Sequence, residues 1–311
     1  MAQRSEFAYT EAPAGHRLHA NAVLGAVHLQ VANLARSVSY YGDVIGLRQL
    51  STSPAQAVLA AHGDDTPIVV LHHLEGAAPV PATGRLGLYH FAILLPARSA
   101  LGRFIAHLSA IGAYAGMSDH LVSEAVYLTD PDGLGIEIYA DRPRESWRVA
   151  NRALEMATLT LDAAALVRAS SGVKWAGMPA GARIGHVHLF VSDLESAARF
   201  YHEGLGLDKV LLDFPGALFM SAGGYHHHLG TNTWAAGAPH AAASDARMLE
   251  WSVILPTDAD VEQTSRALEL AGAKVSREGG DLVAEDPWGT KVRVTAKTPR
   301  KDKEVTANSS R

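Results

Sequence analysis

The strongest constraint on this chain is that it repeats itself. VHLQVANLARSVSYYGDVIGL (27–47) and VHLFVSDLESAARFYHEGLGL (187–207) align at an offset of 160, with valine, histidine, leucine, tyrosine and a closing Gly-Leu in register. Each copy reads as an alternating strand followed by a helix, with Asn33 or Asp193 as N-cap and Gly46 or Gly206 ending the unit. A second kind of segment recurs at the same offset. LYHFAILLP (88–96) matches LEWSVILP (249–256), and both run into helix-like stretches ending at Gly-Ala. Each then closes through a turn into a strand, as YLTDPDGLGIEIYAD (127–141) and VAEDPWGTKVRVTA (283–296), where Asp-Pro-Asp-Gly is a strong turn signal.

The chain therefore holds four strand–helix–strands modules, at roughly 22–75, 85–141, 182–233 and 246–296. We group them as a first domain (22–141, modules 1 and 2), a connector (142–181), a second domain (182–296, modules 3 and 4) and a polar tail (297–311) expected to be disordered. The fold class is α+β. One module cannot close a barrel, so paired modules are expected to curl into cupped sheets.

Composition excludes several function classes. The 311 residues are 48% hydrophobic and 19% charged, with no run apolar enough to cross a bilayer. A formal charge of −5 without a dense basic stripe argues against nucleic acid as partner. There is no cysteine, hence no disulfide, thiolate metal site or cysteine nucleophile. The N-terminus lacks an apolar signal region, so the expected location is the cytoplasm. Sixteen histidines are many for this length, and three stand in a row at 226–228, in SAGGYHHHLG. Neighbouring side chains on a strand face opposite ways, so only His226 and His228 can share a face.

The recurring H-V-x-L-x-V-x-D-L…FY…LGL pattern resembles the vicinal oxygen chelate superfamily. GLYHFAILLP, DHLVSEAVYLTDPDGLGIEIYADRP, IGHVHLFVSDL and SAGGYHHHLG are similar to its bacterial catechol 2,3-dioxygenase branch. The resemblance covers about 22–296 and implies βαβββ modules paired into open barrel-like sheets, with metal ligands at the start of a module's first strand and in its last. At the first of these positions the four modules carry Ala26, His90, His186 and Glu250; at the second, Glu137 of module 2 aligns with Arg293 of module 4. Alanine cannot ligate and arginine repels a cation, so the middle modules supply the set His90, Glu137 and His186. Two histidines and one carboxylate form the facial arrangement that leaves three positions open on a non-haem Fe(II); such sites also accept Mn(II).

The resemblance also places an acid/base histidine in the closing region of module 3. That points to His228, with His226 next because it shares a face, while His227 is expected to cap a sheet edge. Tyr127, ten residues before Glu137, matches the family's tyrosine near the substrate oxygen, and His120 resembles a second pocket histidine. His28 and His188 recur in both halves and read as supporting residues. Phe214, Phe219 and Trp234 could line the pocket or pack in the core. The implied activity is Fe(II)-dependent extradiol cleavage of a catechol by O2 to a hydroxymuconic semialdehyde. Its partners are a small aromatic diol and O2, with neither nucleic acid nor membrane. Exposed sheet edges leave a homo-oligomer open. Rival readings are hydroquinone ring cleavage, a glyoxalase-like metal-dependent isomerase or lyase, and a non-enzymatic small-molecule-binding protein.

Overall fold

A computed structural model describes residues 7–211 and 214–297. The expected polar tail lies, beyond Lys297, outside these described residues. Module 1 comprises β1 (Val23–Val31), α1 (Leu34–Asp43), β2 (Arg48–Thr52), β3 (Gln56–Ala60) and β4 (Pro67–His73). Module 2 comprises β5 (Gly87–Leu94), α2 (Arg98–Ala110), β6 (Gly116–Asp119), β7 (Ser123–Thr129) and β8 (Gly135–Asp141). The connector contributes a small hairpin, β9 (Val149–Ala150) with β10 (Ala153–Leu154), and the helix α3 (Ala163–Ala169). Module 3 follows with β11 (Arg183–Phe190), α4 (Leu194–Ala197) continuing into π-helical turns over Ala198–Gly204, β12 (Asp208–Leu211), β13 (Ala217–Ser221) and β14 (Leu229–Asn232). Module 4 consists of β15 (Arg247–Leu255), α5 (Asp258–Leu270), β16 (Val275–Glu278), β17 (Asp281–Glu285) and β18 (Lys291–Ala296). This is the α+β, four-module architecture the repeat implies.

The caps form where the sequence puts them. Asn33 accepts the Arg36 N–H and Asp193 accepts that of Ser196, so each helix gains a partner for one of its otherwise free first-turn donors. Gly46 and Gly206 end these units at φ +86° and +93°, a region costly to a residue with a Cβ.

Hydrogen bonding pairs the modules across the sequence order. One eight-stranded sheet runs β16-β17-β18-β15-β1-β4-β3-β2, joining modules 4 and 1; the other runs β12-β13-β14-β11-β5-β8-β7-β6, joining modules 3 and 2. The joints are antiparallel pairs of first strands, β1 with β15 and β5 with β11. Contacts between the sheets tie modules consecutive in the chain. Tyr41 of module 1 donates its hydroxyl to Asp130 in the turn of module 2, and Tyr201 of module 3 does the same to Asp286 of module 4. Arg36 pairs with the buried Asp132 in the first half. A continuous apolar core fills the space between, drawing Leu29, Phe91, Leu189 and Trp251 from the four first strands. The connector is packed against it: Leu166 of α3 is fully buried, and a Cβ at Gly102 of α2 would sit 2.0 Å from the Leu166 carbonyl oxygen.

Candidate metal centre

The middle sheet brings the three predicted ligands onto one face through its register. His186 of β11 lies opposite Ala92 of β5, Ala92 beside Glu137 of β8, and Glu137 opposite Tyr127 of β7. Residues abreast on neighbouring strands point to the same face. The row therefore reads His186, Ala92, Glu137, Tyr127, and the small Ala92 leaves its neighbours room to meet above it. His90, two residues before Ala92, shares that face and stands opposite His188. A bulge re-aims His186: Ile184 pairs with Ile93 and His186 with Ala92, leaving Gly185 as the extra residue.

The three ligating atoms lie within 4.8 Å of one another, on side chains that are all buried. Nε2 of His186 and Nε2 of His90 are each 3.0 Å from the same Glu137 oxygen, Oε2. Only His186 makes an aligned hydrogen bond there; His90 Nε2 has no hydrogen-bond partner among the described residues. Burying an unsatisfied polar atom costs about 1–3 kcal/mol, and a divalent cation at the point of convergence would employ all three lone pairs. The residues fit a metal. Burial alone would raise the Glu137 carboxyl, but the adjacent His186 and His90 hold it well below the usual carboxylate range. Burial lowers His186, keeping the imidazole in the neutral form that ligation needs.

The outer sheet presents the same positions with other chemistry. Glu250 stands where His90 does, and Arg293 where Glu137 does. Arg293 donates from Nε to Glu250 Oε1 at 2.6 Å and from Nη2 to Oε2 at 2.9 Å. With Ala26 as the third member, a guanidinium fork answers the carboxylate there.

Around the triad lies a cavity of about 260 Å³ bounded by all three ligands, Tyr127, His120 and His227. Phe214, Phe219 and Trp234 line it rather than the core, and the connector closes one side with Met156, Ala157 and Thr158. His120 Nδ1 is 2.8 Å from the Ala157 carbonyl, which can only accept, so its proton sits on Nδ1. Its Nε2 is then an acceptor for the Tyr127 hydroxyl, 2.6 Å away. Burial, reinforced by the Glu137 charge, raises the Tyr127 phenol far above its ordinary value and keeps it protonated. His188 also lines the cavity, and its Nε2 accepts the Asn232 amide at 3.0 Å.

The histidine run sits differently from the sequence expectation. It lies in the loop before β14, after Gly223 and Gly224, both at positive φ. His226 reaches Asp141, and of the three it is His227 that lines the cavity, its ring centroid 4.2 Å from that of His186. His228 turns away: its Nδ1 accepts the Ala222 N–H at 3.2 Å, and it lines a small internal void together with Leu24 and Trp251. Burial, with the neighbouring His226, pulls its pKa down to about 3. His226 is fully buried, its Nε2 2.9 Å from Asp141. The alternation argument presumes a strand, and the run lies in a loop ahead of one. Sequence reasoning gave His227 an edge-capping role, where the structure puts it in the cavity wall, and it missed Asp141 and the connector's wall, neither of which carries a local signal.

Fold and site together define a metal-binding protein built from paired βαβββ modules around a two-histidine, one-carboxylate triad. The chain belongs to the Glyoxalase/Bleomycin resistance protein/Dioxygenase superfamily, which matches residues 22–138 and 183–294. Its triad makes it an extradiol-dioxygenase-like member, with a site of the kind that takes Fe(II) or Mn(II). It is 38% identical over 274 residues to a catechol-2,3-dioxygenase of Bacillus subtilis (strain 168), covering 87% of this chain and 95% of the relative. Among solved structures, a Bacillus subtilis protein provisionally described as a dioxygenase superposes with a TM-score of 0.62 at 15% identity, covering 91% and 87% of the two chains. Glyoxalase I from Zea mays gives a TM-score of 0.52 at 18% identity, covering 88% and 92%. These two likenesses speak for the fold alone. No helix among the described residues is long and apolar enough to cross a membrane.

Proposed function

We propose that the chain is an Fe(II)-dependent dioxygenase that opens a catechol ring beside its two hydroxyls, using O2 and giving a hydroxymuconic semialdehyde. The observation that carries this reading is a facial triad on the floor of an aromatic-walled cavity, flanked by two proton-handling groups. His90, Glu137 and His186 would hold the ion. When bound, Fe(II) supplies adjacent open positions and a route for electron density between a diol and O2.

The chain's own residues do the rest. Tyr127 is kept as a phenol, and its hydroxyl can turn from His120 toward a substrate oxyanion and stabilise it by donation. His227, on the other side of His186, is the group we assign to proton transfer, in place of His228. Burial, with the neighbouring His186 and His226, holds the His227 pKa well below the ordinary histidine value, so it stands as a neutral imidazole able to take a proton from an incoming hydroxyl. Phe214, Phe219 and Trp234 offer apolar faces to the ring, and the connector excludes water from one side. Glu137 is the only carboxylate among the described residues that line the cavity, so a separate carboxylate base, as an isomerase of this superfamily would use, has no candidate there. Small diols and O2 are the expected partners and the cytoplasm the expected location.

The test is ring cleavage of plain catechol by anaerobically prepared, Fe(II)-reconstituted protein, followed by its yellow product, beside His186→Ala. Activity in the parent and loss in the variant is the expected result. An inactive parent that binds one Fe(II) tightly would shift the reading to hydroquinones, and a parent that binds no metal would refute it.

A further inference from the structure

The cavity histidine does not stand alone. Nδ1 of His227 is 2.8 Å from Nδ1 of His226, and Nε2 of His226 is 2.9 Å from Oδ1 of Asp141. Asp141 also accepts the Tyr225 hydroxyl at 2.9 Å on Oδ2, and Tyr139 and Tyr225 meet hydroxyl to hydroxyl at 2.7 Å. Donor and acceptor roles in this line can be deduced from one end. A carboxylate only accepts, so the His226 proton is on Nε2 and its Nδ1 carries a lone pair. Two facing nitrogens need one proton between them, so His227 donates from Nδ1 and its own lone pair is on Nε2.

From this we infer that Asp141 and His226 are positioning residues that fix His227 in the tautomer with its basic nitrogen, Nε2, free at the cavity wall. The inference rests on the ring-cleavage reading only for the use to which His227 is put; the tautomer itself is a property of the chain. The frame around the relay is built to hold it. His226 is fully buried, with its ring 4.1 Å from that of Tyr225 and 5.4 Å from that of Trp147 by centroids. The Tyr225 hydroxyl also holds the carboxylate of Asp141, 2.9 Å from Oδ2 and 3.1 Å from Oδ1. The adjacency of His226 and His227, which rules out a shared face, is what the relay requires: one ring reaches the cavity while its neighbour reaches back to β8, whose last residue is Asp141.

The arrangement resembles in logic any imidazole whose tautomer is set by the partner of its other nitrogen. With the proton on Nε2 instead, His227 would confront an incoming hydroxyl with a donor and could not take its proton. His228 and His188 are not connected to this line. The first is bonded to the backbone of Ala222 and the second to the amide of Asn232.

Two measurements on the full chain test the inference. The first is ring-nitrogen NMR on metal-free protein carrying nitrogen-labelled histidine, with His227 assigned by its loss in His227→Gln. We expect the Nδ1–H tautomer in the parent and in His226→Asn, whose side-chain oxygen can still accept that proton, and its loss in His226→Phe. The second is steady-state kinetics with catechol after Fe(II) loading. His226→Phe should lower kcat about 100-fold, the lower end of what a positioned proton-transfer group contributes, with KM little changed; His226→Asn should retain most of kcat. If His226→Phe fails to fold, Asp141→Leu replaces it, with the same expectation. An Nε2–H tautomer in the parent, or full kcat in the folded Phe or Leu variant, overturns the proposal. Should no catechol be cleaved at all, the ring-cleavage reading fails while the tautomer measurement still decides the relay.

Discussion

At the scale of single residues, the site follows from a few types at register-matched positions. Comparing modules isolates His90, Glu137 and His186 because the corresponding Ala26, Glu250 and Arg293 cannot form such a set. This much was legible in the sequence, since repeats expose which copy departs from the pattern. Which histidine of the run faces the cavity was not. That choice depends on how a loop with two positive-φ glycines presents three equivalent side chains, and on Asp141 drawing His226 the other way. Glu137→Gln removes the only anionic ligand while keeping its shape. Its metal affinity should fall more than the roughly 100-fold typical of losing an outer partner of a ligand, measured by anaerobic metal titration. His227→Gln should lower kcat by about 10²–10⁴-fold, the range for a general acid or base. His228→Gln, away from the cavity, should affect thermal stability more than kcat, and a reversed order in the two kcat values would return the role to His228.

At the scale of elements, periodicity and turn chemistry made the modules legible, down to the N-caps of modules 1 and 3, because both are local. The bulge in β11 was hidden: nothing in RIGHVHLF says that Gly185 will be the extra residue, as a bulge is set by the partner strand. Its consequence is testable. A Cβ at Gly185 would lie 1.8 Å from the Tyr139 hydroxyl oxygen, so Gly185→Ala must shift either β11 or Tyr139. Overpacking of this kind costs about 1–3 kcal/mol, to be read from denaturant melts. The same shift should displace His186 and weaken metal binding. A variant with unchanged stability and metal affinity would show that β11 can absorb the methyl group without using its bulge.

Across the whole molecule, the sheets and the chain order divide the modules in two different ways. First strands join module 1 to 4 and 2 to 3, while tyrosine-to-aspartate bonds and the Arg36–Asp132 pair tie 1 to 2 and 3 to 4. Pairing between distant strands leaves no local trace, so the sheet partners were not readable from sequence although the modules were. The turn aspartates give this frame a pH dependence. Burial pushes Asp130 and Asp286 up to about 6 from an ordinary value of 3.8. A carboxyl that holds its proton more tightly when folded contributes stability fully present below pH 3.8 and lost as pH rises through about 6. Asp130→Asn mimics the neutral form, so its stability relative to the parent should improve by about 1 kcal/mol between pH 5 and 7.5, from the size of the shift. Thermal melts of the metal-free proteins across that range check it, and a difference that stays constant with pH would contradict it.

The central claim is that the middle sheet, and not the outer one, forms a site that inserts dioxygen into a catechol. The most direct measurement is mass spectrometry of the ring-opened product after a brief turnover of Fe(II)-loaded protein under isotopically labelled O2. Both labelled atoms are expected in the product, with none formed by Glu137→Gln. A ring-opened product without label, or full activity in that variant, would contradict it.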